Sequence, residues 1–206
     1  AFATFDELNR FLNPSTKYFH DPFLMKGMEK AIKRILKAIS LNEIIFILGD
    51  SDADGISAVS IIFNRLKEQG GKVKAFILNR EEDGRGLSKK LIKKVMSANS
   101  AVLITCDIGI NDHDLIDFAT ENGVDVIIAD HHMPFKKNSS AFSIINPKQR
   151  NCVYPFKELS ASGVALKLVQ GMEKFKSKNI AENDDAVSLA MLGTISDMVP
   201  LNGENR

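Results

Sequence analysis

Gly49-Asp-Ser-Asp-Ala-Asp-Gly55 directly follows the apolar run Ile44 to Leu48, and this stretch decides how the rest of the chain is interpreted. The apolar run has the length and composition of a buried strand. Two further apolar runs also end just before an aspartate: Ala101 to Thr105 before Asp107, and Val124 to Ile128 before Asp130. Ligands in an open α/β sheet bind outside the carboxyl ends of the strands. The three segments are therefore predicted to bring carboxylates together at one edge of a sheet.

Strands and helices alternate through the middle of the chain. We predict strands at 44–48, 73–78, 101–105 and 124–128, with helices near 56–68, 88–98, 112–121, 161–176 and 184–195. This alternation is typical of a parallel sheet with right-handed crossover connections. The predicted fold class is therefore α/β, with a mostly parallel sheet and helices on both of its faces.

The N-terminal part of the chain is predicted to be helical. Thr4-Phe5-Asp6-Glu7 is a capping-box pattern, which predicts a short helix that stops before Pro14. Asp21-Pro22 is predicted to open a longer helix that runs to Ile39. We assign residues 1–40 to a helical N-terminal segment and residues 41–206 to a catalytic lobe.

The composition is that of a chain with an ordinary buried core, since 44% of its 206 residues are apolar. No stretch approaches the roughly 18 to 20 apolar residues of a membrane helix, so no membrane partner is expected. Cys106 and Cys152 form no Cys-x-x-Cys pair and cannot staple a chain of this length. We therefore expect a reducing, cytoplasmic location.

The net charge of +1 conceals an uneven distribution. Of the 26 acidic residues, six are candidate site residues, which leaves 20 against 27 Lys and Arg. These six are Asp50, Asp52, Asp54, Asp107, Asp130 and Asp197. A basic remainder could hold an anionic polymer, but many proteins carry a similar excess of lysine, and the charge alone leaves both readings open.

The spacing Asp50-x-Asp52-x-Asp54-Gly55 also matches the first half of a calcium-binding EF-hand loop. An EF-hand requires a bidentate glutamate at loop position 12. Position 12 counted from Asp50 is Ile61, which lies in an apolar helical pattern, so we reject this interpretation.

A divalent metal site explains the converging acids better than isolated helix caps or turns do. Several carboxylates gathered without cations repel one another, and a divalent ion compensates that repulsion. His131 and His132 directly follow Asp130. Successive side chains of an extended segment point in opposite directions, so we expect one histidine to be a ligand and the other to face substrate. Carboxylate and imidazole ligands without thiolate favour Mn²⁺, or Mg²⁺ where oxygen ligands dominate.

Four spaced motifs carry a resemblance to a known family. They are Gly49 to Gly55, Cys106-Asp-Ile-Gly-Ile110, Asp130-His-His132 and Gly193-Thr-Ile-Ser-Asp197. Their order resembles the motifs of the DHH phosphoesterase superfamily. Flanking segments, such as Asn79-Arg80 and the closing stretch from Asp197 to Arg206, resemble its single-strand-specific DNA exonuclease branch.

The resemblance implies a phosphodiesterase that uses two Mn²⁺ or Mg²⁺ ions. It implies that Asp52, Asp54, His131 and Asp197 are ligands and that Asp107 bridges both ions. Asp50 matches the leading acid of the first motif, and its status as a ligand is left open. Asp130 would orient the imidazole of His131. His132 would face the scissile phosphate.

The implied function is 5′ to 3′ exonuclease activity on single-stranded DNA in repair and recombination. Two alternatives stay open: a different enzyme on the same site, namely a nanoRNA or cyclic-dinucleotide phosphodiesterase or a pyrophosphatase, and a DHH scaffold without catalysis. The resemblance also implies a longer protein, whose further domains would hold the strand and contact other repair proteins. The chain has no Trp and two Tyr, and most of its 13 Phe fall in core-like positions. We therefore expect residues 1–206 alone to bind metal but to digest DNA weakly.

Overall fold

The computed structural model describes residues 4–84, 86–135, 140–177 and 184–206. Within these ranges, five strands form one all-parallel sheet in the order β2-β1-β3-β4-β5. The strands are β1 (Ile44–Gly49), β2 (Lys72–Ile77), β3 (Ser100–Cys106), β4 (Asp125–Ala129) and β5 (Ser143–Ile145). The predicted α/β class is confirmed, and each of the four predicted strands is present to within two residues at its ends.

Eight α-helices lie in the same described ranges. They are α1 (Phe5–Leu12), α2 (Met28–Ser40), α3 (Ala53–Glu68), α4 (Arg80–Asp83), α5 (Lys89–Ser97), α6 (His113–Glu121), α7 (Ala161–Ser177) and α8 (Asp184–Ser196). Three 3₁₀ turns accompany them at Thr16–Tyr18, Pro22–Leu24 and Gly203–Asn205. The predicted start of α1 is confirmed, since Thr4 caps the helix by accepting a hydrogen bond from the Glu7 amide at 3.1 Å.

Helices cover both faces of the sheet. On one face α2, α3 and α7 form a core with alternate strand residues, among them Ile45, Ile47 and Ile104. On the other face α5 and α6 pack on residues such as Leu48, Leu103 and Ile128. The strands β1, β3 and β4 are thus buried from both sides, which explains why their sequences are apolar runs rather than alternating ones, whereas the edge strand β2 is largely exposed.

The strand order places the predicted site at a topological switch point. The chain moves outward from β1 to β2 and then returns across β1 to β3. In sheets of this order, the crevice between the carboxyl ends of β1 and β3 is the usual ligand site. Asp50 follows β1 and Asp107 follows β3 at that crevice.

The predicted start of the long N-terminal helix is wrong. Asp21 caps only the 3₁₀ turn at Pro22–Leu24, and α2 begins at Met28. Gly27 separates them because its backbone adopts the left-handed region, with φ of 86°. A side chain at Gly27 would also collide with the Ile144 carbonyl oxygen. Helix α2 therefore begins only after Gly27, where the chain passes close to strand β5.

The strand β5 escaped sequence prediction. Its three residues, Ser143–Ile145, pair with the end of β4 and form an edge of the sheet. Such a short segment offers too few positions for a periodic pattern to be recognised.

No helix in the described parts of the chain combines the length and apolar character that spanning a bilayer requires.

Candidate metal centre

Three of the predicted acids stand one residue beyond the end of a strand, and the sheet hydrogen bonding extends to each of them. The Asp50 amide donates to the Cys106 carbonyl at 3.3 Å, and the Asp107 amide donates to the Ala129 carbonyl at 3.0 Å. The Asp130 amide donates to the Ile145 carbonyl at 3.1 Å. The backbone of each acid is thereby fixed at the carboxyl edge of the sheet, as the apolar runs predicted.

Asp107 lies at the centre of the site. Its backbone adopts the left-handed region with φ of 65°, which an aspartate tolerates better than most residues do. Only 3% of its surface is exposed. This burial raises the pKa of Asp107 to about 7, against the opposing effect of nearby His131. A cation beside Asp107 would stabilise the charged carboxylate, which burial disfavours.

Asp50 and Asp52 share a guanidinium group. Arg80 Nη2 lies 2.7 Å from Asp50 Oδ2 and 3.0 Å from Asp52 Oδ2. Burial alone would raise the pKa of Asp50, but the hydrogen bonds from Arg80 outweigh it and lower that pKa. Asp52 also caps helix α3 by accepting the Gly55 amide at 3.0 Å. Both acids are therefore held at the mouth of the site.

Asp54 connects the first motif to helix α7. Its side chain is buried and accepts the amides of Ala161 and Ser162 at 2.7 and 2.9 Å. These amides belong to the first turn of α7, where the unpaired N–H groups of a helix favour a negative charge. The carboxylate is thus fixed in orientation by a helix that starts more than 100 residues further along the chain.

Asp197 directly follows helix α8 and approaches the site from the other side. Its amide still donates to the Gly193 carbonyl at 2.9 Å, as in a helix. Its Oδ2 lies 3.6 Å from His131 Nε2. Burial raises the pKa of Asp197 above its ordinary value.

His131 is buried between two of these acids. Its Nε2 lies 3.3 Å from Asp107 Oδ1 and 3.6 Å from Asp197 Oδ2. Burial lowers the pKa of His131, but the contact with Asp107 outweighs it, and the pKa is raised. The His131 imidazole lies close to two acids from different motifs, so it could bind the same cation as they do.

The predicted divergence of the two histidine rings is wrong. The ring centroids of His131 and His132 are 4.6 Å apart, and both rings approach Asp107. The alternation rule fails here because β4 has already ended at Ala129, and the backbone bends at His132. The two rings differ in exposure instead, because His131 is buried and 55% of the His132 side chain is exposed.

The prediction that Asp130 orients the His131 ring is also wrong. Asp130 Oδ1 lies 2.8 Å from His132 Nδ1, and it accepts only the backbone amide of His131, at 2.7 Å. The bend of the chain brings the His132 ring back over the carboxylate. This hydrogen bond raises the pKa of His132 to about 9. Burial would raise the pKa of Asp130, but the contact with His132 lowers it.

The donor atoms fit a divalent cation. Three overlapping groups each offer ligand atoms within 4.8 Å of one another: Asp50, Asp52 and Asp107; Asp107, His131 and His132; and Asp54, His131 and Asp197. Seven of the eight predicted site residues belong to these groups, and Asp130 is joined to them through His132. Asp107 Oδ1 and both ring nitrogens of His131 are buried without a hydrogen-bond partner. Buried polar atoms of this kind normally have partners, and a metal ion would supply one for Asp107 Oδ1 and for one of the two ring nitrogens.

Two further residues of the site were not predicted as site residues. Arg80, on the short helix α4, is the guanidinium donor to Asp50 and Asp52. Asn146 follows β5, and its Nδ2 donates to the His132 carbonyl at 2.9 Å. Asn146 obeys the same rule as the acids, a polar residue just past a strand, but its strand was too short to recognise.

The whole chain is similar to known proteins in sequence and in structure. The sequence model described as "DHH family, N-terminal domain" matches residues 44–194. "Single-stranded-DNA-specific exonuclease RecJ" of Bacillus subtilis is 39% identical over 207 aligned residues, covering 100% of this chain and 25% of that protein. The protein of the same name from Dickeya dadantii is 32% identical over 205, covering 95% of this chain and 36% of that protein.

Among solved structures, the "crystal structure of exonuclease RecJ bound to manganese" superposes with a TM-score of 0.80 at 31% identity. The match covers 88% of this chain and 46% of that one. The chain thus spans about a quarter to a third of the length of the curated relatives described above.

Proposed function

The chain belongs to the DHH family, and from this premise we propose that it catalyses metal-dependent removal of nucleotides from the 5′ end of single-stranded DNA. The observation that carries the proposal is the set of three overlapping acid and histidine groups at the switch point of the sheet. Its relatives in Bacillus subtilis and Dickeya dadantii are named as exonucleases specific for single-stranded DNA, which supports the choice of substrate. We further propose that residues 41–206 form the catalytic lobe, that residues 1–40 are a helical N-terminal segment, and that the protein acts on DNA in the cytoplasm.

We assign the metal ligands to Asp52, Asp54, Asp107, His131 and Asp197. Asp107 is the bridging candidate because it is the one residue shared by the group with Asp50 and Asp52 and the group with the two histidines. Oxygen and imidazole donors without thiolate favour Mn²⁺ or Mg²⁺, and a relative's structure is described as bound to manganese. When bound, a pair of such ions supplies activation of water and stabilisation of charge on the phosphate.

The side chains around the ligands can bind the phosphate and hold a proton. Arg80 is fixed by Asp50 and Asp52, yet 43% of its side chain is exposed, so its guanidinium can pair with a phosphate oxygen. Asp130 and Asn146 hold His132 from two sides, at the ring and at the backbone carbonyl. The exposed part of the His132 ring can then meet the scissile phosphate and hold a proton for the leaving oxygen.

A cleavage assay on the whole gene product tests the proposal. Single-stranded oligonucleotides labelled at the 5′ end are incubated with Mn²⁺, and the products of wild type, Asp107→Asn and Asp112→Asn are compared. Asp107→Asn should lower the rate at least about 100-fold, because loss of outer contacts to ligands already costs 10 to 100-fold. Asp112 is a matched control on the same loop. It is half-buried and accepts the Leu87 amide, which asparagine can also do.

The substrates separate the proposal from its alternatives. Release of single nucleotides from long strands labelled at the 5′ end supports it. Cleavage of dinucleotides and very short oligonucleotides alone would replace it with the nanoRNA or cyclic-dinucleotide phosphodiesterase. Absence of cleavage with Mn²⁺ still bound would indicate a scaffold without catalysis.

A further inference from the structure

Exposed apolar side chains follow the site residues along the chain. Met133 comes directly after His132, and Met198 comes directly after Asp197; they are 65% and 89% exposed. Phe135 is 69% exposed, three positions beyond His132. Single exposed apolar residues are common, but these three each stand within three positions of a site residue along the chain. We call Met133, Phe135 and Met198 the apolar rim.

The loop that carries Met133 and Phe135 is held in place through its backbone. Asn146 Nδ2 donates to the His132 carbonyl at 2.9 Å. Asn111 holds the loop twice: its Nδ2 donates to the Met133 carbonyl at 3.1 Å, and its Oδ1 accepts the Phe135 amide at 2.8 Å. Pro134, between the two apolar residues, removes one backbone torsion from the loop. The two side chains are therefore presented to solvent from a fixed backbone.

Asn111 also ties this loop to the metal centre. It lies on the segment between Asp107 and helix α6, and Asp130 Oδ2 accepts the Ile110 amide from the same segment at 3.2 Å. The position of Phe135 is thus set by the same two segments that position Asp107 and His132. A shift of the Phe135 backbone relative to the acids would require these hydrogen bonds to break.

We propose that Phe135 stacks against a nucleobase of the single strand beside the scissile phosphate, with Met133 next to it. The inference rests on the proposed function and names one contact of its substrate. The phosphates of a strand would face Arg80 and the ions, so the bases would turn away from the acids and need another surface to hold them. Unpaired bases expose apolar faces, and aromatic side chains beside a cationic groove are the usual means of holding them. This aromatic residue is one that the sequence pattern alone did not place at the site.

Photocrosslinking on the whole gene product tests the contact directly. Thymidine oligonucleotides carry 5-iododeoxyuridine at one of the first four positions, and phosphorothioate linkages slow their cleavage. Ultraviolet irradiation couples the iodinated base to a touching aromatic side chain, and mass spectrometry of the digest identifies it. The expected adduct is on Phe135 at one or two adjacent positions, and Phe135→Ala should abolish it. Leu41→Ala is the control, because Leu41 is 57% exposed at the end of α2, outside the site.

A second measurement is a double-mutant cycle in which one change is made in the protein and the other, removal of a base, in the DNA strand. Loss of one base-stacking contact costs on the order of tenfold in affinity. Phe135→Ala should therefore raise KM about tenfold for an intact strand, and less than twofold for a strand that lacks the base at the crosslinked position. An equal rise in KM for both strands would overturn the stacking contact. A crosslink yield that is unchanged in Phe135→Ala would overturn it too.

The outcomes keep the inference apart from the function on which it rests. Normal cleavage by wild type with no adduct on Phe135 refutes the inference and leaves the nuclease standing. Wild-type protein that neither cleaves nor crosslinks to any strand refutes the proposed function. An adduct on Phe135 together with unequal KM effects supports both.

Discussion

Gly193→Ala should destabilise the protein, although alanine normally stabilises a helix. Gly193 lies inside α8, where it packs on the start of α7 and on Asp54. A Cβ atom there would collide with Ser162 Oγ and lie 2.5 Å from Asp54 Oδ1. Ser162 cannot yield easily, because its amide binds Asp54 and its hydroxyl binds the Ala190 carbonyl at 3.1 Å.

The magnitude follows from three contributions. Replacing a helical glycine by alanine gains about 1 kcal/mol from helix propensity. Overpacking of this kind costs about 1 to 3 kcal/mol. Loss of a hydrogen bond to the buried Asp54 carboxylate costs about 1.5 to 3 kcal/mol more. The free energy of unfolding should therefore fall by roughly 1.5 to 5 kcal/mol.

Gly171→Ala provides a matched control within α7. A Cβ at Gly171 would lie 2.7 Å from Ile32 Cδ1 and 3.5 Å from Met28 Sδ, both at the ends of flexible side chains. Small rotations there relieve the overlap, so this variant should stay within about 1 kcal/mol of wild type.

Urea denaturation of both variants in EDTA gives the free energies, and isothermal titration with Mn²⁺ gives the metal affinity. Because the collision displaces Asp54, Gly193→Ala should also bind Mn²⁺ at least about tenfold more weakly. If Gly193→Ala is as stable as Gly171→Ala, the close packing of α8 on Asp54 is wrong. If it is unstable but binds Mn²⁺ normally, Asp54 is not a ligand.

Two other predictions concern buried or paired charges away from the metal centre. Lys167→Met should lower the free energy of unfolding by about 3 to 5 kcal/mol, since it leaves the buried Glu204 with hydrogen bonds from Tyr154 and His20 but without its cationic partner at 2.5 Å. Adding Glu204→Gln should restore at least half of that loss in a urea-denaturation cycle. Full additivity of the two changes would contradict this coupling. Burial raises the pKa of Asp21, but the ion pair with Lys174 outweighs burial and lowers this pKa below 3.8. The pair therefore stabilises the fold above pH 3.8, and this stabilisation is lost as the pH falls through the lowered pKa. Asp21→Asn should accordingly lower the free energy of unfolding at pH 7 by a few tenths to about 1 kcal/mol, a small effect because 42% of the Asp21 side chain is exposed. The difference from wild type should shrink as urea titrations move from pH 5 toward pH 3. A difference that grows would contradict the sign of the pKa shift.

The sheet and the convergence of the acids could be predicted because they depend on short-range patterns. An apolar run followed by Asp50, Asp107 or Asp130 specifies both a strand and the edge at which its acid emerges. The structure adds the hydrogen bonds that carry each acid one residue past its strand. That part of the site needed only the periodicity and the rule for strand ends.

The contacts that depend on distant segments could not be predicted in this way. Asp54 binds the start of α7, and Arg80 reaches back to Asp50; neither pairing leaves a periodic trace in the sequence. The bend after β4 turns the rings of His131 and His132 toward the same acid, where an extended segment would have separated them. The ligand roles assigned to individual residues remain predictions.

A crystal of the protein soaked in Mn²⁺ tests the central claim most directly. Anomalous scattering locates manganese without reference to the protein atoms. If Asp107 bridges two ions, the anomalous difference map should show a close pair of peaks beside its carboxylate, one toward Asp52 and the other toward His131 and Asp197. A single peak, or a pair that Asp107 does not touch, would contradict the two-metal centre.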